Sequence, residues 1–249
     1  MIERNDRDGI RTLTLAHGKV NAIDLELCQA LTREFGEAQE PGIKGVILTG
    51  SGSSFSAGVD LFRLVSEGPD YVTRFLPALD DVLRRVLTFA KPVVAAVNGH
   101  AIAGGCILAA ACDYRIMAHG TARIGIPELA VGVPFPALPL QIMAARVPDA
   151  AMRDLVFTGR TVVVDEATAL GLIDETCPRE MLLERAHEVA RKRVAIRAAA
   201  FVLTKEAFYA PVLDRTKQLA GLNERVAEEW LQPHTSEAIR NYLARTIKK

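Results

Sequence analysis

Apolar and polar positions alternate through GIRTLTLA, residues 9–16, with the two-residue period of a strand that buries one face. Residues 1–5 precede it at hairpin distance and are expected to pair with it. Asp24 is expected to cap a helix over 25–39, because Leu27, Leu31 and Phe35 then fall on one face. Residues 45–49, GVILT, form a short apolar run closed by Gly50 and Gly52, the pattern of a buried strand. Val72, Phe75, Leu79, Val82 and Val86 place an apolar stripe on a helix over 70–90, with a kink expected at Pro77. Residues 92–97 and 114–118 read as strands, and 104–112 as a helix between them. This alternation predicts crossover connections and a mostly parallel sheet. Beyond Pro134 the period is helical, near 136–146, 149–157, 165–170, 180–207, 211–231 and 236–247, with one β-like run at 162–164. The shift divides an expected α/β core over 1–195 from a helical region over 196–249.

Composition narrows the possible partners. Lys and Arg total 30, and so do Asp and Glu, so no excess charge calls for nucleic acid or an anionic membrane. Hydrophobic residues make up 49%, which argues for a packed core and against disorder. No apolar run reaches the length of a membrane span. Cys28, Cys106, Cys112 and Cys177 show neither a CxxC pair nor Cys/His metal spacing, so reduced thiols and no metal site are expected. The N-terminal MIERNDRDGI has no apolar leader segment, which makes cytoplasm the expected compartment.

The chemistry concentrates in residues 98–136. Gly104 and Gly105 open a helix there, where free backbone N–H groups can hold a developing negative charge. Glu128 stands among Ile124, Ile126, Leu129 and Val131, a setting that raises a carboxyl pKa toward neutrality and suits a proton carrier. An anion holder beside one base suggests chemistry at the carbon next to a carbonyl.

Residues 98–136, together with SGSSFSAGVDL (51–61) and FTGRTVVVDEATALGLIDETCP (157–178), resemble the crotonase (enoyl-CoA hydratase/isomerase) superfamily in order and spacing. The resemblance implies an α/β fold, a crotonase-like spiral of ββα units with a C-terminal helical trimerisation region. It also implies a homotrimer or a dimer of trimers. The backbone N–H groups of Val59 and Gly104 would form the oxyanion hole for a thioester. Coenzyme A would arrive as part of an acyl-CoA substrate, with no permanently bound cofactor. Hydratases of the family carry two glutamates, and this chain has Ile107 at the first position and Glu128 at the second. In this respect it resembles the single-glutamate Δ3,Δ2-enoyl-CoA isomerases.

Lys19, Ala22, Ala57, Asp60, Leu61 and Lys205 are the expected coenzyme A contacts, with Asp60 also suited to cap a helix. Phe62, Tyr71, Phe75, Ile107 and Phe135 are the expected acyl-pocket residues. Trp230, Tyr242 and Leu243 are expected in helix or subunit contacts. The alternatives are a hydratase, hydrolase or decarboxylase acting on acyl-CoA, and a non-catalytic acyl-CoA-binding protein.

Overall fold

The computed structural model describes residues 1–246. Strands β1 (Ile2–Arg7) and β2 (Ile10–Leu15) form the expected antiparallel hairpin. It turns at Asp8 and Gly9, which adopt φ of 54° and 73°. Helix α1 (Leu25–Glu37) starts at Asp24, whose carboxylate accepts the Leu27 N–H at 2.8 Å and so satisfies one of the donors a helix start leaves open. Next come β3 (Gly45–Gly50), β4 (Ser54–Ser56), α2 (Leu61–Glu67) and α3 (Pro69–Leu87). They are followed by β5 (Val93–Val97), β6 (His100–Ile102), α4 (Gly104–Ala111), β7 (Tyr114–Ala118) and β8 (Arg123–Gly125). The chain continues through α5 (Glu128–Val131), α6 (Ala137–Ala144), α7 (Asp149–Thr158), β9 (Thr161–Val163), α8 (Val164–Ala169) and β10 (Glu175–Cys177). A 3-10 turn at Arg179–Met181 leads into α9 (Leu182–Val194), α10 (Ala198–Gln218), α11 (Ala220–Trp230) and α12 (Pro233–Thr246).

Two sheets organise these elements. The larger has the order β1-β2-β3-β5-β7-β10 and is parallel after the first hairpin. The smaller has the order β4-β6-β8-β9. Each ββα turn gives one strand to each sheet and then a helix, as in β3-β4-α2, β5-β6-α4 and β7-β8-α5. The two-residue strand period decides what each face meets. On β3, Val46 and Leu48 join the main apolar cluster with α1, α3 and α4, while Ile47 faces the other way and packs with Leu182, Ala186 and Val189 of α9. The main cluster runs without a break to Val212 of α10, Trp230 of α11 and Ile239 of α12, so residues on both sides of position 195 share it.

The expected elements are present, with three physical corrections. Helix α3 continues through Pro77 as one element. The expected helix over 180–207 is interrupted at 195–197, and that over 211–231 at Leu219, where α10 gives way to α11. Four strands of three residues, β4, β6, β8 and β10, were not expected, because so short a segment carries no readable alternation. The expected end of the last helix at 247 lies outside the described residues. No described helix is long and apolar enough to cross a membrane.

Lys205, an expected coenzyme A contact, is not exposed in this fold: it is buried and paired with Asp113. Its Nζ lies 2.9 Å from the Asp113 carboxylate, and both side chains are largely buried. Asp113 also accepts the Val93 N–H at 2.8 Å, so the pair ties α10 to the start of β5 in the middle of the main sheet. Beside it, Arg146 donates to the carbonyls of Ala110 and Cys112 at 2.8 and 2.7 Å and bonds the Tyr209 hydroxyl. Burial pulls the Lys205 pKa down, and Asp113 opposes that pull. Removing one member of a buried pair leaves the other charge uncompensated, at a typical cost of about 3–5 kcal/mol. Lys205→Met is therefore expected to lower the urea-unfolding free energy by several kcal/mol while leaving coenzyme A ester affinity nearly unchanged. A stable variant with weakened ester binding would restore the ligand role.

Candidate active site

The loop 17–24 sets the geometry of the site. Asn21 is fully buried at φ 52°, a left-handed conformation that Asn adopts more readily than most residues. Its side-chain amide donates to the Ser54 carbonyl at 2.9 Å, and its Oδ1 accepts the His17 N–H at 3.0 Å. The Ser56 hydroxyl donates to the Asn21 carbonyl at 2.7 Å. These bonds dock the 51–60 segment on the N-terminal loop. The Ile23 N–H then donates to the Gly58 carbonyl at 2.7 Å, and the Asp60 N–H to the Ile23 carbonyl at 2.9 Å. This isolated parallel bridge, Ile23 to Val59, leaves the Val59 N–H with no protein acceptor among the described residues.

The second donor comes from α4. Ala103, immediately before it, has φ 50° and ψ −124°, a sparsely populated conformation held by its N–H bond to the Gly125 carbonyl at 2.8 Å. The Gly104 N–H is the first of the helix and has no intrahelical partner. A Cβ built on Gly104 would lie 3.7 Å from the Val59 nitrogen. A Cβ built on Gly58, at φ 83°, would lie 2.5 Å from the Ile102 carbonyl and 3.1 Å from the Gly104 nitrogen. Only bare backbone allows this approach. Two free N–H groups therefore face one space, with the positive end of α4 behind one of them.

That space is a cavity of about 100 Å³. Val59, Gly104, Glu128, Ile107 and Phe135 line it together, as do Ala57 and Leu61. Glu128 opens α5 and is the cavity's only lining carboxylate among the described residues. Its Oε2 is buried and has no hydrogen-bond partner among the described residues. Burial pushes its pKa up to about 8, against a small opposing pull from its own backbone N–H. A carboxyl in that state can both take and return a proton near neutral pH. Beside it, the Cys106 thiol is buried and raised in pKa, which makes it a poor nucleophile.

Several expected contacts fall elsewhere. Tyr71 and Phe75 are buried in the core and do not line the cavity. Their rings stack at 5.8 Å between centroids, and the Tyr71 hydroxyl accepts the Leu25 N–H at 3.0 Å. Among the stripe residues of α3, Leu79 lines the cavity. Phe62 is exposed at 59% and does not line it. Lys19 is exposed, and Ala22 is half-buried beside the docked Asn21; neither lines it. Asp60 caps α2 by accepting the Arg63 N–H at 3.1 Å and is not on the lining. The Arg63 guanidinium is engaged by Glu26, by Glu67 at 2.6 Å and by Asp24 at 3.1 Å. His100 and His119 make loop bonds to Arg123 and Thr176 and are not on the lining.

The sequence reading missed much of the lining, Leu79, Ile102, Val131 and Pro136 among it, and with them two residues from distant helices. Trp230 and Tyr242, assigned there to helix or subunit contacts, close one side of the cavity from α11 and α12. The Trp230 indole donates to the Pro134 carbonyl at 2.9 Å and so fixes the loop that carries Phe135. Neither position belongs to a local motif, so no nearby pattern marks it. The lone Trp of the chain was the one compositional hint.

Comparison with known proteins places this geometry in a family. The family model for enoyl-CoA hydratase/isomerase matches residues 5–246. The short-chain-enoyl-CoA hydratase of Clostridium acetobutylicum is 33% identical over 190 residues, covering 76% of this chain and 72% of that protein. A solved Mycobacterium tuberculosis structure described as an enoyl-CoA isomerase is 31% identical, with a TM-score of 0.83 over 92% of this chain and 98% of that one. Human mitochondrial Δ3-Δ2-enoyl-CoA isomerase superposes with a TM-score of 0.92 over 99% and 98% of the two chains, and at 23% identity it shows the shared fold. The chain belongs to the enoyl-CoA hydratase/isomerase family.

Proposed function

We propose that the protein is a Δ3,Δ2-enoyl-CoA isomerase in which Glu128 is the single proton shuttle. One observation carries this reading: among the described residues Glu128 is the only carboxylate on the cavity wall, and Ile107 lines that wall as well. Hydration needs one group to hold water and coordinated proton delivery to the neighbouring carbon. Isomerisation needs one base that works twice.

In the proposed reaction, ionised Glu128 removes a proton from C2 of a 3-enoyl thioester. The C2–H electron pair forms a C1–C2 double bond, and the carbonyl π pair moves onto oxygen. The Val59 and Gly104 N–H groups hold that oxygen. A donor of this kind is typically worth about 2.7–4 kcal/mol of barrier. The dienolate extends over C3 and C4. Protonated Glu128 then returns the proton at C4, the double bond settles between C2 and C3, and the thioester carbonyl re-forms. No water enters the balance, which fits a cavity walled by Ile102, Ile107, Val131 and Phe135. Coenzyme A serves as the carrier of the acyl group, and no further cofactor takes part. A trimer or a dimer of trimers remains the proposed assembly, and cytoplasm the proposed compartment.

Glu128→Gln keeps the shape of the side chain and removes its basicity. Turnover of a 3-enoyl-CoA is expected to fall by about 10³-fold or more, the scale of general acid–base contributions. Affinity for a saturated acyl-CoA should hardly change. Retained isomerisation in this variant would end the assignment.

The pH dependence follows from the direction of the shift. The base must be ionised, so kcat/KM of the wild type is expected to rise with pH through a midpoint near 8 and to level off above it. Folding stability runs the other way. An unfolded carboxyl ionises near 4.5, while folded Glu128 holds its proton to about 8, so stability from this group is present below 4.5 and is lost as pH rises through 8. Glu128→Gln should therefore melt higher than wild type at pH 9 and no higher near pH 5. An equal difference at both values would show that Glu128 is already ionised in the folded protein at pH 5.

Relative rates on two substrates separate the readings. Isomerisation of a 3-enoyl-CoA is expected to exceed hydration of crotonyl-CoA by orders of magnitude. Ile107→Glu, which adds a second carboxylate to the wall, is expected to raise the hydration rate. Hydration by the wild type at a rate similar to isomerisation would favour a hydratase with a differently placed second group.

A further inference from the structure

The Val59 N–H belongs to the peptide plane that joins Gly58 to Val59, so whatever fixes Gly58 aims the donor. Gly58 must lack a side chain, because a Cβ there would lie 2.5 Å from the Ile102 carbonyl. It sits at φ 83°, an angle that glycine reaches freely and leaves as freely. Two hydrogen bonds supply the missing restraint. The Gly58 carbonyl accepts the Ile23 N–H at 2.7 Å. The Gly58 N–H donates to the Ser56 hydroxyl oxygen at 3.1 Å. In a trans peptide the N–H points away from the preceding carbonyl. With the Gly58 carbonyl turned to the 17–24 loop, the Val59 N–H points away from that loop.

We propose that Ser56 is a positioning residue for the oxyanion hole, its hydroxyl holding Gly58 so that the Val59 N–H stays aimed at the thioester oxygen. This rests on the reading of Val59 and Gly104 as the pair that holds that oxygen. The hydroxyl is used in both directions. It accepts from the Gly58 N–H and donates to the Asn21 carbonyl at 2.7 Å. Ser56 is fully buried, so bulk water does not compete for either bond. Its main chain is pinned from the other side of the site, where a Cβ built on Gly105 would lie 2.9 Å from the Ser56 Cβ. Ser56 therefore meets the start of α4, which carries Gly104, and through its hydroxyl it meets the loop behind Val59. One residue sets the two donors relative to each other. Ser56→Ala leaves the Gly58 N–H and the Asn21 carbonyl buried without partners and frees Gly58 to rotate. What is lost is the aim of a donor, not the donor itself and not Glu128. The defect belongs to the chemical step more than to substrate binding.

The test compares full-length wild type, Ser56→Ala and Ser56→Cys in two measurements. The first is the infrared carbonyl stretch of bound hexanoyl-CoA, isotope-labelled at the thioester carbonyl. This saturated ester cannot be isomerised, so the signal does not depend on turnover. The second is isomerisation of a 3-enoyl-CoA across pH. Two aimed donors should lower the stretch of the ester bound to wild type. Ser56→Ala should lower it less, and its kcat should fall by about tenfold or more, short of the roughly 10²–10³-fold typical of losing such a donor outright. Its KM, its affinity for hexanoyl-CoA and the midpoint of its pH profile should be nearly unchanged. Ser56→Cys keeps a weaker polar atom at the same place and should fall between the two on both scales. Where Ser56→Ala does not fold, Ser56→Cys against wild type gives the same comparison. A Ser56 variant that folds with the full lowering of the stretch and wild-type kcat would overturn the proposal and leave the oxyanion hole standing. A fall in kcat matched by an equal loss of ester affinity and a moved pH midpoint would show general loosening of the cavity and would also overturn it. An ester bound to wild type with an unshifted stretch would overturn the oxyanion-hole reading and the proposal with it.

Discussion

The site depends on two stretches of backbone approaching closer than any side chain would permit. A Cβ on Gly105 would lie 2.3 Å from the Ser56 carbonyl, and one on Gly58 would lie 2.5 Å from the Ile102 carbonyl. These are distances at which the backbone itself would have to move. The small second sheet holds the approach, since β4 and β6 pair in parallel and carry the two stretches side by side. Val59 and Gly104 then emerge just beyond the ends of paired strands, with their N–H groups unused by the fold. The site is therefore an unpaired margin of the sheet frame. The strained Ala103 turn is tolerated because its N–H is bonded to β8 and its neighbours are packed.

This view explains which parts of the chain were legible from sequence. The capped α1 and the stripe of α3 are local patterns, and each buries the face its pattern implies, whereas the period-two run of β2 is a strand buried on both faces between β1 and β3. The glycines of 104–105 and the lone Glu128 were legible because their environment is encoded within a few residues. The second sheet was not. Apart from β9, whose Val-rich run was readable, its strands are three residues long without a readable pattern, and they exist because distant strands pair with them.

The acyl-side residues failed for a related reason. Tyr71, Phe75 and Leu79 share one helical stripe, and no periodic reading tells which of them faces a cavity and which faces the core. The structure gives the cavity to Leu79 alone of these three, and Tyr71 spends its hydroxyl on the start of α1. Trp230 and Tyr242 reach the cavity from helices about a hundred residues beyond Glu128, and only the tertiary path of the chain brings them there. Lys205, expected at coenzyme A from the resemblance of its motif, is buried against Asp113, a pairing between distant segments that no local pattern marks.

The isolation of Glu128 links stability and chemistry in a single term. An apolar wall destabilises its ionised form, and the fold carries that cost without a hydrogen bond to Oε2. A second carboxylate in so small a space would repel the first, raise one pKa further and draw in water to solvate the pair. With Ile107 on the same wall, the protein avoids that repulsion and offers water no second charged partner there. An apolar wall also strengthens the hold of two N–H dipoles on a new negative charge. The residue that would let the site position water is thus the one whose absence lets a lone carboxyl stay poised near neutral pH. The apolar Ile107 and the raised pKa of Glu128 are therefore two sides of one local environment, in which Glu128 Oε2 lies buried without a partner among the described residues.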